Sequence, residues 1–235
     1  GYRDKRSRYD NSFIIADAGR SWVLETAGRH WAAKTIDTFA AISNCLTIGT
    51  DYDLCSEGLE NFARKKGLYK GNGRLDFKKS FDTSLMARFA GSRGRLSASR
   101  ACMIRFAGQE DMNVAGMMEA LRTHADGHTT PRDGSNRDVC MHAGGFIRRS
   151  QTCGAMVSRL SDNGALHFFT GTSAPCLSVF RPASFDMDAA YSVLNPDGET
   201  VEGSLWRRHE HVHRRILFHE EARIRLRQAV HETET

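Results

Sequence analysis

The sequence predicts an α+β protein built on antiparallel sheets, and three observations lead there. Short apolar runs separated by turn-length, Gly-containing segments recur near both ends of the chain. Between them lies a stretch whose apolar residues recur at helical spacing, and a long amphipathic segment closes the chain. Strands joined by tight turns pair antiparallel, and helices segregated from them in sequence give a mixed class rather than an alternating α/β one.

The elements follow in order. Residues 12–17 (SFIIAD) and 22–26 (WVLET) flank Ala18-Gly19-Arg20-Ser21 and predict a hairpin. Residues 31–36 (WAAKTI) and 39–48 (FAAISNCLTI) are apolar and β-branched enough to predict two more strands. Over 53–66 the period changes: Leu54, Leu59, Phe62 and Ala63 predict a helix, with Asp53 and Ser56 as caps. From 67 to 108 glycines break the pattern, which predicts loops, short helices and one helical piece over 83–90. A helix is expected over 112–124 and an exposed loop over 125–138. Residues 152–160, 165–170 and 176–180 predict a second meander, its first turn marked by Asn163-Gly164. The last element, 205–230, reads as one long helix with Leu205, Val212, Ile216, Leu217, Ile224 and Leu226 on its apolar side.

Composition narrows the function classes. The 235 residues are 40% hydrophobic and 26% charged, the balance of a globular protein. No apolar run approaches the roughly 18 to 20 residues of a bilayer span. The charged start lacks the apolar core of a secretory signal, so a cytoplasmic location and no membrane partner are expected. Of the 33 basic residues 26 are arginine, but they are spread along the chain without interleaved aromatics, and no nucleic-acid partner is expected. The six cysteines include no C-x-x-C pair, which leaves neither a zinc ribbon nor a thioredoxin motif and predicts reduced, structural thiols.

Two local motifs carry chemistry. His209-Glu210-His211-Val212-His213 matches H-E-x-x-H, with His219 ten residues beyond the first ligand. The extended metalloprotease motif needs a glycine where Ile216 stands, and on a continuing helix His219 would lie about 15 Å along the axis. A solvated basic face is therefore expected there, with no metal. Cys140-Met141-His142 reads either as a thiol–imidazole couple or as a buried Cys beside a loop His. No G-x-G-x-x-G or Walker pattern supports nucleotide binding.

Eight runs carry a resemblance: YDNSFIIAD (9–17), WVLETAGRHWAAK (22–34), AISNCLTIG (41–49), LRTH (121–124), CMHAGG (140–145), SQTCGAMVSRL (150–160), FTGTSAPCLSVFRP (169–182) and SLWRRHEHVHR (204–214). In this order they are similar to the secernin and cysteine dipeptidase family. The resemblance implies an N-terminal-nucleophile hydrolase, an αββα sandwich of two antiparallel sheets, cleaving amide bonds of dipeptides or similar small amides without metal or cofactor. Its nucleophile would be a cysteine exposed as first residue, with its own α-amine as base.

Residue 1 here is Gly and the first cysteine is Cys45, so the resemblance implies that the nucleophile belongs to an N-terminal segment outside these residues. Residues 1–235 are then expected to be a single, partial domain, incomplete at its N-terminus and inactive alone. Asn44 matches the strand Asn that sits near amine and oxyanion in the related acylases, and Arg93 or Arg95 could be the arginine that polarises the site. The expected partners are a small peptide or amide, the N-terminal segment, and possibly a second copy of the chain. A non-enzymatic scaffold and an acyltransferase on the same fold are the alternatives.

Overall fold

A computed structural model describes residues 10–82, 91–107, 113–124, 134–144, 150–183 and 204–234. The helical piece expected over 83–90 lies outside them, as does most of the loop expected over 125–138. The chain divides into two compact units, Gly1–Met103 and Ile104–Thr235. Its described elements are two antiparallel sheets of four and three strands with six α-helices, an α+β architecture. Among the described residues no helix is long and apolar enough to cross a membrane.

In the first unit β1 (Ser12–Ala16), β2 (Ser21–Ala27), β3 (His30–Thr35) and β4 (Leu54–Cys55) form one sheet in that order. The first turn closes because Asp17 Oδ1 accepts the Gly19 and Arg20 N–H groups at 2.8 and 2.7 Å. The second is two residues long and puts Gly28 at φ 62°, a conformation that costs glycine little. Along β2 every second residue, Val23, Glu25 and Ala27, is buried, as a half-covered strand requires. Val23, Ala27 and Ala32 join Leu46, Ile48, Tyr52, Leu75 and two short helices in one core. Those helices are α1 (Leu59–Lys65), which buries Leu59 and Ala63 one turn apart, and α2 (Phe77–Phe81), capped by Asp76 on the Lys79 N–H.

Three expectations for this unit are corrected. Residues 39–48 are not a strand. Their backbone is held instead by Glu25, whose fully buried carboxylate accepts the Thr47 N–H at 2.7 and 2.8 Å, the Ile48 N–H at 2.9 Å and the Thr47 hydroxyl at 2.7 Å. Neither Asp53 nor Ser56 caps a helix: Asp53 accepts from the Thr35 N–H and hydroxyl, and Ser56 Oγ meets His30 Nδ1 at 3.0 Å, so the helix starts only at Leu59. Where loops and short helices were expected, α3 (Ser92–Ala107), whose last four residues belong to the second unit, is a sixteen-residue helix. Its buried positions Ser92, Leu96, Met103 and Phe106 do fall at helical spacing, but intervening Ser, Ala and Gly blur the contrast.

The second unit holds α4 (Val114–Leu121), β5 (Met156–Ser161), β6 (Gly164–Phe169), β7 (Arg181–Ala183), α5 (Leu205–Ile216) and α6 (Glu220–Glu234). Asn113 caps α4 by accepting the Gly116 N–H at 2.9 Å. Met118 of α4 packs with Val157 and Phe180, with Val114, Met117, Leu121 and Phe168 around them. The β5–β6 hairpin is as expected, Ser161 opposite Gly164. The third strand is not 176–180 but the three residues of β7, paired with β6. Residues Pro175–Leu177 form a single 3₁₀ turn, entered through Ala174 at φ 60°. The closing helix is also two helices, because the chain breaks after Ile216 and restarts at Glu220.

Replacing Glu25 by Gln keeps the shape but removes the charge and turns one acceptor into a donor. We expect urea unfolding to register a loss of about 2 to 3 kcal/mol; a change below about 0.5 kcal/mol would remove Glu25 from its organising place.

His30 gives a pH dependence. It is buried, packed against Phe62 with ring centroids 4.5 Å apart and planes tilted by 32°, and its pKa is lowered first by burial and then by Arg29. Its stabilisation is therefore complete above the unfolded value of 6.5 and is lost as pH falls through the lower folded value. Melting measured between about pH 7.5 and 5.5 should drop less in His30→Gln than in the parent; equal drops would refute the assignment.

Candidate functional site

Asn44, Arg93 and Arg95 all lie in the first unit, and the structure separates the two arginines. Asn44 sits at the apex of a sharp bend in which the Cys45 N–H donates to Ser43 O at 2.7 Å, leaving Asn44 exposed and Cys45 buried. Arg95 reaches it from the first turn of α3, its Nη2 donating to Asn44 Oδ1 at 3.0 Å across 51 residues of sequence. Arg93 instead faces Asp82, Nη2 to Oδ2 at 3.6 Å. Asn44 and Arg95 are thus brought together, and Arg93 is not part of the pair.

Chemistry fixes the orientation of that amide. A guanidinium has only donors, so Asn44 must present its oxygen to Arg95 and its Nδ2 hydrogens elsewhere. Beside the pair, burial pushes the Cys45 thiol up, a hydrogen bond with Ser92 only partly offsetting it. Such a thiol is held protonated and is a poor nucleophile. The polar cleft of about 290 Å³ in this unit is lined by 34–41, Thr47, Ile48 and Asp51 among others, and not by Asn44 or Arg95.

In the second unit the H-E-x-x-H segment serves packing. The expectation that the helix continues past Ile216 is corrected by the break at 217–219, closed by the His219 N–H on Ile216 O at 2.8 Å. The two histidines are nevertheless committed to protein partners. His209 Nε2 lies 3.0 Å from Ser173 O, and because a carbonyl only accepts, that nitrogen carries its proton and has no lone pair for a metal. His213 is buried with Nε2 3.3 Å from Gln151 Nε2, and Glu210 accepts the Ser173 N–H at 3.2 Å.

Cys140 and His142 are buried, with Sγ and Nε2 3.9 Å apart, and two further residues join them. His124 Nε2 is 3.0 Å and Cys176 Sγ 3.4 Å from the same His142 nitrogen. The four donor atoms all lie within 4.8 Å of one another, and this is the group among the described residues able to hold a metal ion. The Cys140 thiol is raised, by its hydrogen bond to Cys176 and by burial, while Cys176 is lowered by that bond and by the two imidazoles. Sequence reading found the Cys140–His142 pair but not His124 or Cys176, which lie 18 and 34 residues from His142. Their signal was a His or Cys in each of three separate runs, with no local spacing to join them.

Arg122 holds the turn that carries Cys176 in place. Its Nε and Nη2 donate to Pro175 O and Ser178 O at 3.0 Å each, on either side of Cys176. Nη1 and Nη2 also form a fork on Glu234 at 2.8 and 2.7 Å, and Nη1 reaches Glu119 at 3.0 Å. Burial opposes this charge, but the hydrogen bonds it donates to Glu234 and Glu119 outweigh that and raise its pKa.

No family model matches the chain.

Arg122→Lys retains the charge and loses the fork. Unfolding should show the second unit weakened by at least about 3 kcal/mol, since one ammonium cannot replace five directed donors and Glu234 is left underpaired. A loss under about 1 kcal/mol would mean that the loop is fixed by something else.

Proposed function

We propose that these residues form part of an amide-bond hydrolase of the cysteine dipeptidase type, with the N-terminal-nucleophile αββα fold, acting on dipeptides or small amides. The observation that carries it is the Asn44–Arg95 hydrogen bond. It joins a bend and a helix start at two positions that the resemblance singles out for the same site.

In this reading Arg95 fixes the amide so that Asn44 offers Nδ2 hydrogens to the oxyanion that develops when a carbonyl is attacked. Such a donor gains strength as charge builds in the transition state, which is where stabilisation accelerates the reaction. The nucleophile comes from a cysteine outside these residues. Cys45 is protonated and buried, Cys102 is buried, and Cys140 and Cys176 are enclosed with two histidines. Cys55 and Cys153 are exposed, and Cys153 Sγ donates to Gln151 O. None of the described cysteines is disulfide-bonded, which supports a reducing, cytoplasmic setting.

The second reading is a partner-binding scaffold, and β1 favours it. This terminal strand of its sheet exposes Phe13, Ile14 and Ile15 in succession, a surface suited to pairing with a further strand. An acyltransferase would share the hydrolase site and differ in using an amine as acceptor, which product analysis distinguishes.

The test begins with N-terminal sequencing of the protein purified from its source, where a cysteine as first residue is expected. With that protein, Asn44→Ala and Arg95→Ala should each lower kcat/KM for dipeptides by about a hundredfold or more, while the 235-residue chain alone shows no turnover. Thiol-dependent turnover by the 235-residue chain, or a mature protein beginning with another residue, would overturn the proposal.

A further inference from the structure

We propose that His124, Cys140, His142 and Cys176 form a tetrahedral S₂N₂ site for a zinc-class divalent ion in the second unit, closed by four protein ligands and structural in kind.

The first argument is a count of protons. A ring nitrogen has one hydrogen or one lone pair, never both and never two of either. Yet His142 Nε2 has three heteroatoms around it, at 3.0 Å (His124 Nε2), 3.4 Å (Cys176 Sγ) and 3.9 Å (Cys140 Sγ). At that one nitrogen a hydrogen bond satisfies a single contact, so the other two heteroatoms crowd it without being bonded to it. A cation at the centre satisfies all four donors at once.

Distances agree. With sulfur at about 2.3 Å and nitrogen at about 2.0 to 2.1 Å from a tetrahedral ion, donor atoms stand about 3.3 to 3.8 Å apart. The three separations from His142 Nε2 lie within about 0.4 Å of the values for their atom types, and no pair of donors exceeds 4.8 Å.

Charge agrees as well. Two thiolates and two neutral imidazoles carry −2, which a divalent ion cancels, so the filled site is neutral where Cys140, His142 and Cys176 are buried. Softness selects among ions, since two sulfurs and two nitrogens in tetrahedral array suit zinc over magnesium or calcium.

The frame is rigid. The Cys140 N–H donates to Thr123 O at 3.1 Å, tying the Cys140 segment to the residue before His124. Thr152 holds Met141 between the other two ligands, its Oγ1 accepting the Met141 N–H at 2.9 Å. Arg122 grips the backbone on both sides of Cys176. The left-handed Ala174 two residues before Cys176, a conformation unfavourable for a non-glycine residue, turns the chain into the 3₁₀ segment that carries the ligand. A cavity of about 320 Å³, lined by His124, Cys176, Arg223, Arg227 and His231 among others, borders the site. Metal at Nε2 places the His142 proton on Nδ1, which has no partner among the described residues.

Binding replaces two S–H bonds by two S–metal bonds and releases both protons to solvent. The site is independent of the proposed hydrolase chemistry, which uses Asn44 and Arg95.

The experiment uses the 235-residue chain, stripped with a chelator under reducing conditions, then titrated with Co²⁺ and Zn²⁺. The expected result is one ion per chain, the visible bands of tetrahedral Co²⁺, and a sulfur-to-cobalt charge-transfer band that Zn²⁺ abolishes. Cys176→Ser and His142→Gln should weaken binding by at least about a hundredfold, whereas Cys153→Ser, which changes an exposed thiol of the same unit, should bind as the parent does. His124→Cys exchanges nitrogen for sulfur and should keep the ion while strengthening the charge-transfer band, a result that loss of folding could not produce. Cobalt bound without that band, no stoichiometric uptake, or a Cys140–Cys176 disulfide in chain isolated without oxidant and devoid of metal would each overturn the site.

Discussion

The second unit depends on one buried guanidinium. Arg122 has five N–H donors, and all five are used: two on backbone carbonyls of 175–178, two on the Glu234 carboxylate and one on Glu119. Glu234 in turn accepts the Phe180 N–H at 2.7 Å, and the guanidinium lies over the Phe180 ring. The end of α4, the turn carrying Cys176 and the end of α6 are therefore fixed to a single planar ion. Removing its charge from water is costly, and only this complete set of acceptors makes the burial tolerable. A segment whose carbonyls are satisfied in this way has no need of a sheet partner.

Glu25 does in the first unit what Arg122 does in the second, with the charge reversed. Its carboxylate accepts from the backbone of Thr47 and Ile48, and so fixes the residues just after Asn44. In both units an irregular stretch beside chemistry-bearing residues is held by one fully directed ion. The ion stands on, or next to, a regular element: β2 for Glu25, the end of α4 for Arg122. Irregular backbone keeps its exposed apex able to present a side chain, while the buried ion removes the freedom that irregular backbone would otherwise have.

This device also explains what the sequence showed and what it hid. The β1–β2 and β5–β6 hairpins were legible because the residues that turn each of them lie between its two strands in sequence. The helix over 114–121, expected over 112–124, was legible from the period of its apolar residues, whereas its cap Asn113 was not read from the sequence. Residues 39–48 and 176–180 look like strands because they are apolar and β-branched, but their hydrogen bonds go to side chains 22 and 56 residues away, which no window contains. Helix α3 was hidden by the Ser, Ala and Gly that intervene between its buried positions. Asn44 and Arg95 entered through resemblance, and only their proximity in the fold separated Arg95 from Arg93.

The strongest local motif and the strongest spatial cluster point in opposite directions, and the geometry explains why. In H-E-x-x-H the helix supplies the spacing, so the pattern is visible in sequence whatever the side chains do. Here they brace the 173–178 segment from a second side: His209 donates to Ser173 O, Glu210 accepts the Ser173 N–H, and Ser178 Oγ lies 3.3 Å from His209. A histidine whose Nε2 donates to a carbonyl is a structural donor. In the His124–Cys140–His142–Cys176 cluster three donor atoms converge on one imidazole nitrogen that can satisfy only one of them by hydrogen bonding. Spacing alone proposes ligands, but the direction in which lone pairs and protons are spent decides between them. By that criterion α5 supports the loop, and the loop with its three neighbours holds the ion.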